Sequence, residues 1–211
     1  MRETIKVNIK SGDRESIIKE VLHACNRTLP NEKGRFDYRD GIKVFQKYFD
    51  SYNSILDINE PLQGTWNALA FTTYFGKTEE TKALLLLGAK PDTKLDKNTN
   101  VLHIAATEGR DTISHYLIEN MKNDKNYINY QCDYGQTALM RACEGGFLDV
   151  VKVFMDNNPD ILLKDKEGKT CVNYALDNQN YSLVRYIQHY HLQQTIVRKN
   201  GVDSSRRTAK I

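Results

Sequence analysis

Four segments of the chain repeat one another in phase, and this recurrence restricts the fold more than any other property of the sequence. Asn67, Asn100, Thr137 and Thr170 stand 33, 37 and 33 residues apart. Each is a residue type whose side chain accepts a free backbone N–H in the first turn of a helix. Two residues beyond them lie Leu69, Leu102, Leu139 and Val172, and five beyond lie Thr72, Ala105, Ala142 and Ala175, small enough for close helix approach. Nine beyond lie Gly76, Gly109 and Gly146, with Gln179 breaking the series. Glycine enters the left-handed conformation that ends a helix at little steric cost. The clearest copy runs from Asp133 to Met155. There Leu139, Ala142 and Cys143 give a first short helix one apolar face, and Val150, Val151, Val153 and Phe154 give a second helix its buried stripe. Two such helices cannot bury their apolar faces alone, so the copies are expected to stack into an all-α solenoid.

The segments outside the repeats read differently. Asp13 to Arg27 has the pattern of an amphipathic helix, with Ile17, Ile18, Val21 and Leu22 on one face. Asn26 to Gly34 carries turn chemistry. A longer helix is expected from about Tyr38 to Ile55, with a stripe of Ile42, Phe45, Phe49 and Tyr52, and Pro61 forbids its continuation. The expected division is an N-terminal helical cap over residues 1–62, four repeats over 63–191, and a helix end with a basic tail over 192–211. The spacing of 37 places extra residues near Met121 to Lys125, predicting one more helical turn or a longer loop. The last helix is expected to pass Ile196 and Val197 and to stop at Asn200-Gly201, leaving a polar, disordered tail.

A period of 33 with a turn and two helices resembles that of ankyrin repeats. Leu102-His103-Ile104-Ala105-Ala106 and Thr137-Ala138-Leu139 are similar to that family's T-P-L-H-x-A-A core, and Gly88-Ala89 to the G-A that closes a repeat. Ile128-Asn129 and Asp57-Ile58-Asn59 resemble the D-V-N of the hairpin that follows. The likeness covers about residues 57–191 and implies hairpin fingers between the helix pairs, with the N-terminal helices in the place of a degenerate repeat. The chain departs from the family in having no proline after the caps, one histidine, and no glycine in the last copy. Asn100 beside His103 removes the family's Thr–His hydrogen bond and leaves the imidazole to neighbouring backbone.

The resemblance implies a protein-binding module that recognises a folded partner through its concave face. The family's recognition positions flank the hairpin glycine and precede the glycine between the helices. In this chain they are Gln63, Trp66, Tyr74 and Phe75; then Asp96, Lys97, Thr99, Thr107 and Glu108; then Asp133, Tyr134, Gln136 and Glu144; and lastly Lys166, Glu167, Lys169, Asp177 and Asn178. Trp66, Tyr74 and Phe75 place aromatic groups where polar ones are usual, and Tyr134 extends the series. Such residues dominate interface hot spots. They are either exposed for a partner or covered by the 38–55 helix or the 26–37 loop.

Charge and cysteine usage narrow the alternatives. The tail from Arg198 to Ile211 holds five basic residues against Asp203, so the chain's net +3 leaves the body near neutral and argues against extensive phosphate binding by the folded part. The basic residues of the tail fall into separate groups, as suits a solvated end. Cys25, Cys132, Cys143 and Cys171 lack metal-ligand spacing, and the polar N-terminus is neither a signal nor a transit peptide. Reduced thiols, a cytoplasmic location and a monomer are expected, with no cofactor and no membrane span. His23 with Cys25, and His189 with His191, are two residues apart and diverge on a helix, so a Cys/His enzyme is disfavoured. Two further readings remain: a regulator that masks its target, or a secreted effector of an intracellular bacterium acting in a host cytosol.

Overall fold

The computed structural model describes residues 57–208 apart from Lys125, with side chains as far as Ile196. The expected helices over 13–27 and 38–55 lie outside the described residues. The chain divides into two compact units between Asp96 and Lys97.

The described part of the first unit is one helix pair, α1 (Ala68–Tyr74) and α2 (Thr78–Leu86). Asn67 caps α1 by accepting the Ala70 N–H at 2.9 Å. Leu69 and Ala70 of α1 pack with Ala83 and Leu84 of α2, all fully buried. Asn59 Oδ1 accepts the Lys90 N–H at 2.7 Å and ties together the loops on either side of the pair.

The second unit holds three pairs: α3 (Val101–Thr107) with α4 (Asp111–Asn120), α5 (Ala138–Gly145) with α6 (Leu148–Asp156), and α7 (Cys171–Asp177) with α8 (Tyr181–Thr208). Helices α3, α5 and α7 pack side by side as an inner layer, and α4 packs on α6 behind them. Leu102, Ile113, Leu117, Leu139, Val151, Phe154 and Leu183 fill the space between the layers. Thr137 accepts the Met140 N–H at 3.3 Å as a cap should. Thr170 behaves differently, donating its hydroxyl to Asn173 Oδ1, which also accepts the Thr170 N–H.

The extra residues of the 37-residue spacing form a longer loop, not a helical turn. Helix α4 has 10 residues against 9 in α6, and turns closed by Asp124 N–H to Met121 O and Tyr127 N–H to Asp124 O take up the rest. Single bridges, Gln63 with Trp66 and Gln131 with Thr137, stand where hairpin fingers were expected.

The last repeat shows one local peculiarity and one correction to expectation. Gln179 occupies the glycine slot with φ at 56°, so the left-handed turn forms without glycine and carries steric strain. Asn200-Gly201 does not end the last helix, which continues to Thr208, so the tail is helical there and not disordered. A lone glycine costs a helix only about 1 kcal/mol, and no proline follows to remove a hydrogen bond.

Candidate functional site

In the first unit, α1 presents Phe71, Tyr74 and Phe75 on one face because residues three and four apart share a side of a helix. Trp66 joins them from the turn that its own backbone closes, accepting the Leu62 N–H at 2.8 Å. The Trp66 ring lies 5.4 Å from Phe71 and 5.5 Å from Tyr74, and Phe75 lies 6.4 Å from Phe71 and 5.3 Å from Tyr74. Four rings therefore form one continuous group. Tyr74 and Phe75 are 41% and 42% exposed, while Trp66 and Phe71 are half-buried beneath them. From Leu62 to Gly76 the chain has no charged residue at all. Gln63, beside this group, is exposed.

The second unit treats its recognition positions differently. Lys97, Asp133, Tyr134, Lys166 and Glu167 are exposed at successive loop tips, with Tyr134 at 53%, and Thr99 is half-buried; Asp96, also exposed, belongs to the first unit. The tips are linked through backbone: Asp133 N–H donates to Lys97 O at 2.9 Å, and Lys166 N–H donates to Tyr134 O at 3.1 Å. Asp133 also accepts Asn98 Nδ2 at 2.5 Å. At the far end of the inner helices Thr107, Glu144, Asp177 and Asn178 are exposed and Glu108 is half-exposed.

Gln136 and Lys169 are drawn into the protein's own network. Gln136 Nε2 donates to the Tyr174 hydroxyl at 2.6 Å, and that hydroxyl donates to Asp165 Oδ2 at 2.6 Å. Burial alone would raise the Asp165 pKa. The bonds from Tyr174, Lys169 N–H and Glu167 N–H outweigh it and hold the carboxyl below the usual range. Lys169 Nζ donates to Asp177 at 3.0 Å and lies 5.6 Å from the Tyr174 ring centre.

His103 is fully buried and joins two repeats of the second unit. Its Nε2–H donates to Gln136 O at 3.1 Å, which leaves Nδ1 to accept the Asn100 backbone N–H at 3.4 Å. Both contacts are to neighbouring backbone, as expected once Asn100 stands in place of the family's threonine. Burial lowers the His103 pKa to about 4, against the bond to Gln136, so the ring is neutral.

The position four residues after each cap was not singled out from the sequence. It holds Phe71 in the first unit and Ile104, Arg141 and Tyr174 in the second, one in each inner helix. The signal was available: a residue three before Tyr74 and four before Phe75 must share their side of α1. Arg141 reaches Cys132 Sγ with Nη2 at 3.9 Å.

Among the described residues no group of three or more His, Cys, Asp or Glu could hold a metal ion, and no helix is long and apolar enough to cross a membrane. His189 and His191 are exposed on α8, whereas His23 and Cys25 lie outside the described residues.

The family model for ankyrin repeats in three copies matches residues 121–200. The Notch-regulated ankyrin repeat-containing protein A of Danio rerio is 30% identical over 87 residues, which are 41% of this chain and 78% of that protein. The chain belongs to the ankyrin-repeat family, and its fold is the all-α one of that family. The nuclear factor NF-kappa-B p105 subunit of Gallus gallus is 29% identical over 135 residues, 63% of this chain and 13% of that protein. A putative ankyrin repeat protein of Acanthamoeba polyphaga mimivirus is 28% identical over 75 residues, 35% of this chain and 18% of that protein. The chain therefore spans less than a fifth of the length of these last two relatives. Ankyrin repeats generally mediate protein–protein interaction.

Proposed function

We propose that the chain is a non-catalytic module that docks a folded protein, with the aromatic group of Trp66, Phe71, Tyr74 and Phe75 as the anchor. The observation that carries this reading is the exposure of Tyr74 and Phe75 above two half-buried rings, on a stretch without a single charge. Rings held against one another are already ordered, so docking on them costs little side-chain entropy and removes apolar area from water. The charged positions of the second unit, Lys97, Asp133, Glu144, Lys166 and Asp177 among them, would govern orientation and exclude wrong partners.

The test is affinity capture from cell extract with the wild-type chain beside a Tyr74→Ser/Phe75→Ser variant, each shown to be folded by circular dichroism. A bound protein recovered by the wild type and lost from the variant supports the aromatic anchor. Equal recovery by both would remove it.

A further inference from the structure

Arg141 lies on α5, the middle helix of the second unit's inner layer, four residues after the cap. Its side chain is half-buried, and the protein supplies its charge with little. Nε is inaccessible and has no hydrogen-bond partner, and Nη2 reaches Cys132 Sγ, a weak acceptor, at 3.9 Å. Among the described residues no carboxylate forms an ion pair with Arg141. The acids of this face are engaged elsewhere or out of reach. Asp165 takes the Tyr174 hydroxyl and the N–H groups of Glu167 and Lys169. Glu144 shares the side of α5 on which Arg141 stands, but it is exposed and makes no pair with it. At the equivalent positions, Ile104 of α3 has no polar side-chain atom, and the Tyr174 hydroxyl of α7 is shared between Gln136 and Asp165. A half-buried guanidinium among such neighbours loses hydration without gaining a counter-charge, a cost that a docked anion would remove.

We infer that Arg141 is the seat for a carboxylate side chain of a docked protein, an aspartate or glutamate presented between apolar groups. A guanidinium is a planar fork of N–H donors whose geometry matches a carboxylate in two parallel bonds. Ile104 beside it calls for apolar groups next to the partner's acid. A phosphate dianion suits the place less well, because Glu144 on the same face repels the second negative charge. The inference rests on the reading of the chain as a protein-binding module, but not on the aromatic group of the first unit.

The test follows the Arg141 Nε–H signal in nitrogen–proton NMR spectra of the purified full chain, assigned by its loss in Arg141→Lys. The probes are three capped tripeptides: Leu-Glu-Leu, Leu-Gln-Leu and Leu-phosphoserine-Leu. The glutamate peptide should shift the signal saturably, with a Kd about tenfold or more below that of the glutamine peptide. Added salt should weaken that binding. Arg141→Gln, shown to be folded by circular dichroism, should bind the glutamate peptide about tenfold more weakly, read from the Ile104 and Tyr174 backbone amides. The Tyr74→Ser/Phe75→Ser variant should titrate like the wild type, so a failed aromatic anchor and a failed Arg141 seat are told apart. The inference is overturned by no shift with any peptide, by equal binding of the glutamate and glutamine peptides, or by tighter binding of the phosphoserine peptide. An equal shift at Arg185, exposed on α8, would overturn it as well.

Discussion

The described parts of the two units use the same cap-and-helix register for contrasting surface chemistry. In the first unit the positions four, seven and eight after the cap are Phe71, Tyr74 and Phe75, joined with Trp66 in one run of ring contacts. In the second unit the same positions carry Ile104, Thr107 and Glu108, then Arg141, Glu144 and Gly145, then Tyr174, Asp177 and Asn178, many of them hydrogen-bonded within the protein. The interiors are reversed as well. Thirteen residues after the cap the second unit buries Ile113, Val150 and Leu183, whereas the first buries Glu80, whose Oε1 has no hydrogen-bond partner. A repeat scaffold can thus place its sticky surface on the part with the less favourable core, because backbone register and surface composition are set by different residues.

The largest effect should come from breaking the better core. Leu139→Asp buries a charge between α5 and its neighbours, where the native leucine is 2% exposed. A loss of about 3–5 kcal/mol is expected, seen as cooperative melting of the second unit by circular dichroism, with a small shift in the melt counting against the assigned core.

The next effect is set by pH. His103 is neutral with a folded pKa near 4, below its unfolded value of 6.5. The unfolded chain therefore binds the extra proton first, and the stability His103 contributes is complete above pH 6.5 and lost as pH falls through 4. The loss should reach up to about 3 kcal/mol, measured by urea titration across that range.

Glu80 gives the reverse sign in the first unit. Burial raises its pKa above the ordinary 4.5, so stability present below that value is lost as pH rises through the folded pKa. Glu80→Gln should stabilise the first unit at neutral pH by about 1 kcal/mol. Trp66 is the chain's one tryptophan, so its fluorescence reports this unfolding selectively. An unchanged midpoint would show that Glu80 is not penalised by its burial.

The smallest effect belongs to the last turn. Gln179→Gly relieves a left-handed glutamine and should stabilise the second unit by about 0.5–1 kcal/mol in a thermal melt.

Much of this comparison was legible in the sequence because it follows from periodicity. The caps at Asn67, Asn100, Thr137 and Thr170, the small residues at Ala105, Ala142 and Ala175, and the apolar stripe of α6 are local patterns tied to helix geometry. The exposure of Tyr74 and Phe75 was not legible, since an aromatic on a helix face looks the same whether solvent or another helix covers it. Gln136 likewise looks like an open recognition residue until Tyr174, 38 positions later, is seen to accept its amide hydrogen. The helix through Asn200-Gly201 was not legible because the turn preference of that dipeptide is local, whereas a helix that no proline interrupts continues through it.

The most direct test of the aromatic anchor is the equilibrium dissociation constant of the captured partner for wild type and for the Tyr74→Ser/Phe75→Ser variant, with circular dichroism melts alongside. The expected result is a loss of affinity of about 100-fold or more with little change in melting, as for two hot-spot aromatics. Affinity within twofold of wild type, in a variant that remains folded, would contradict it.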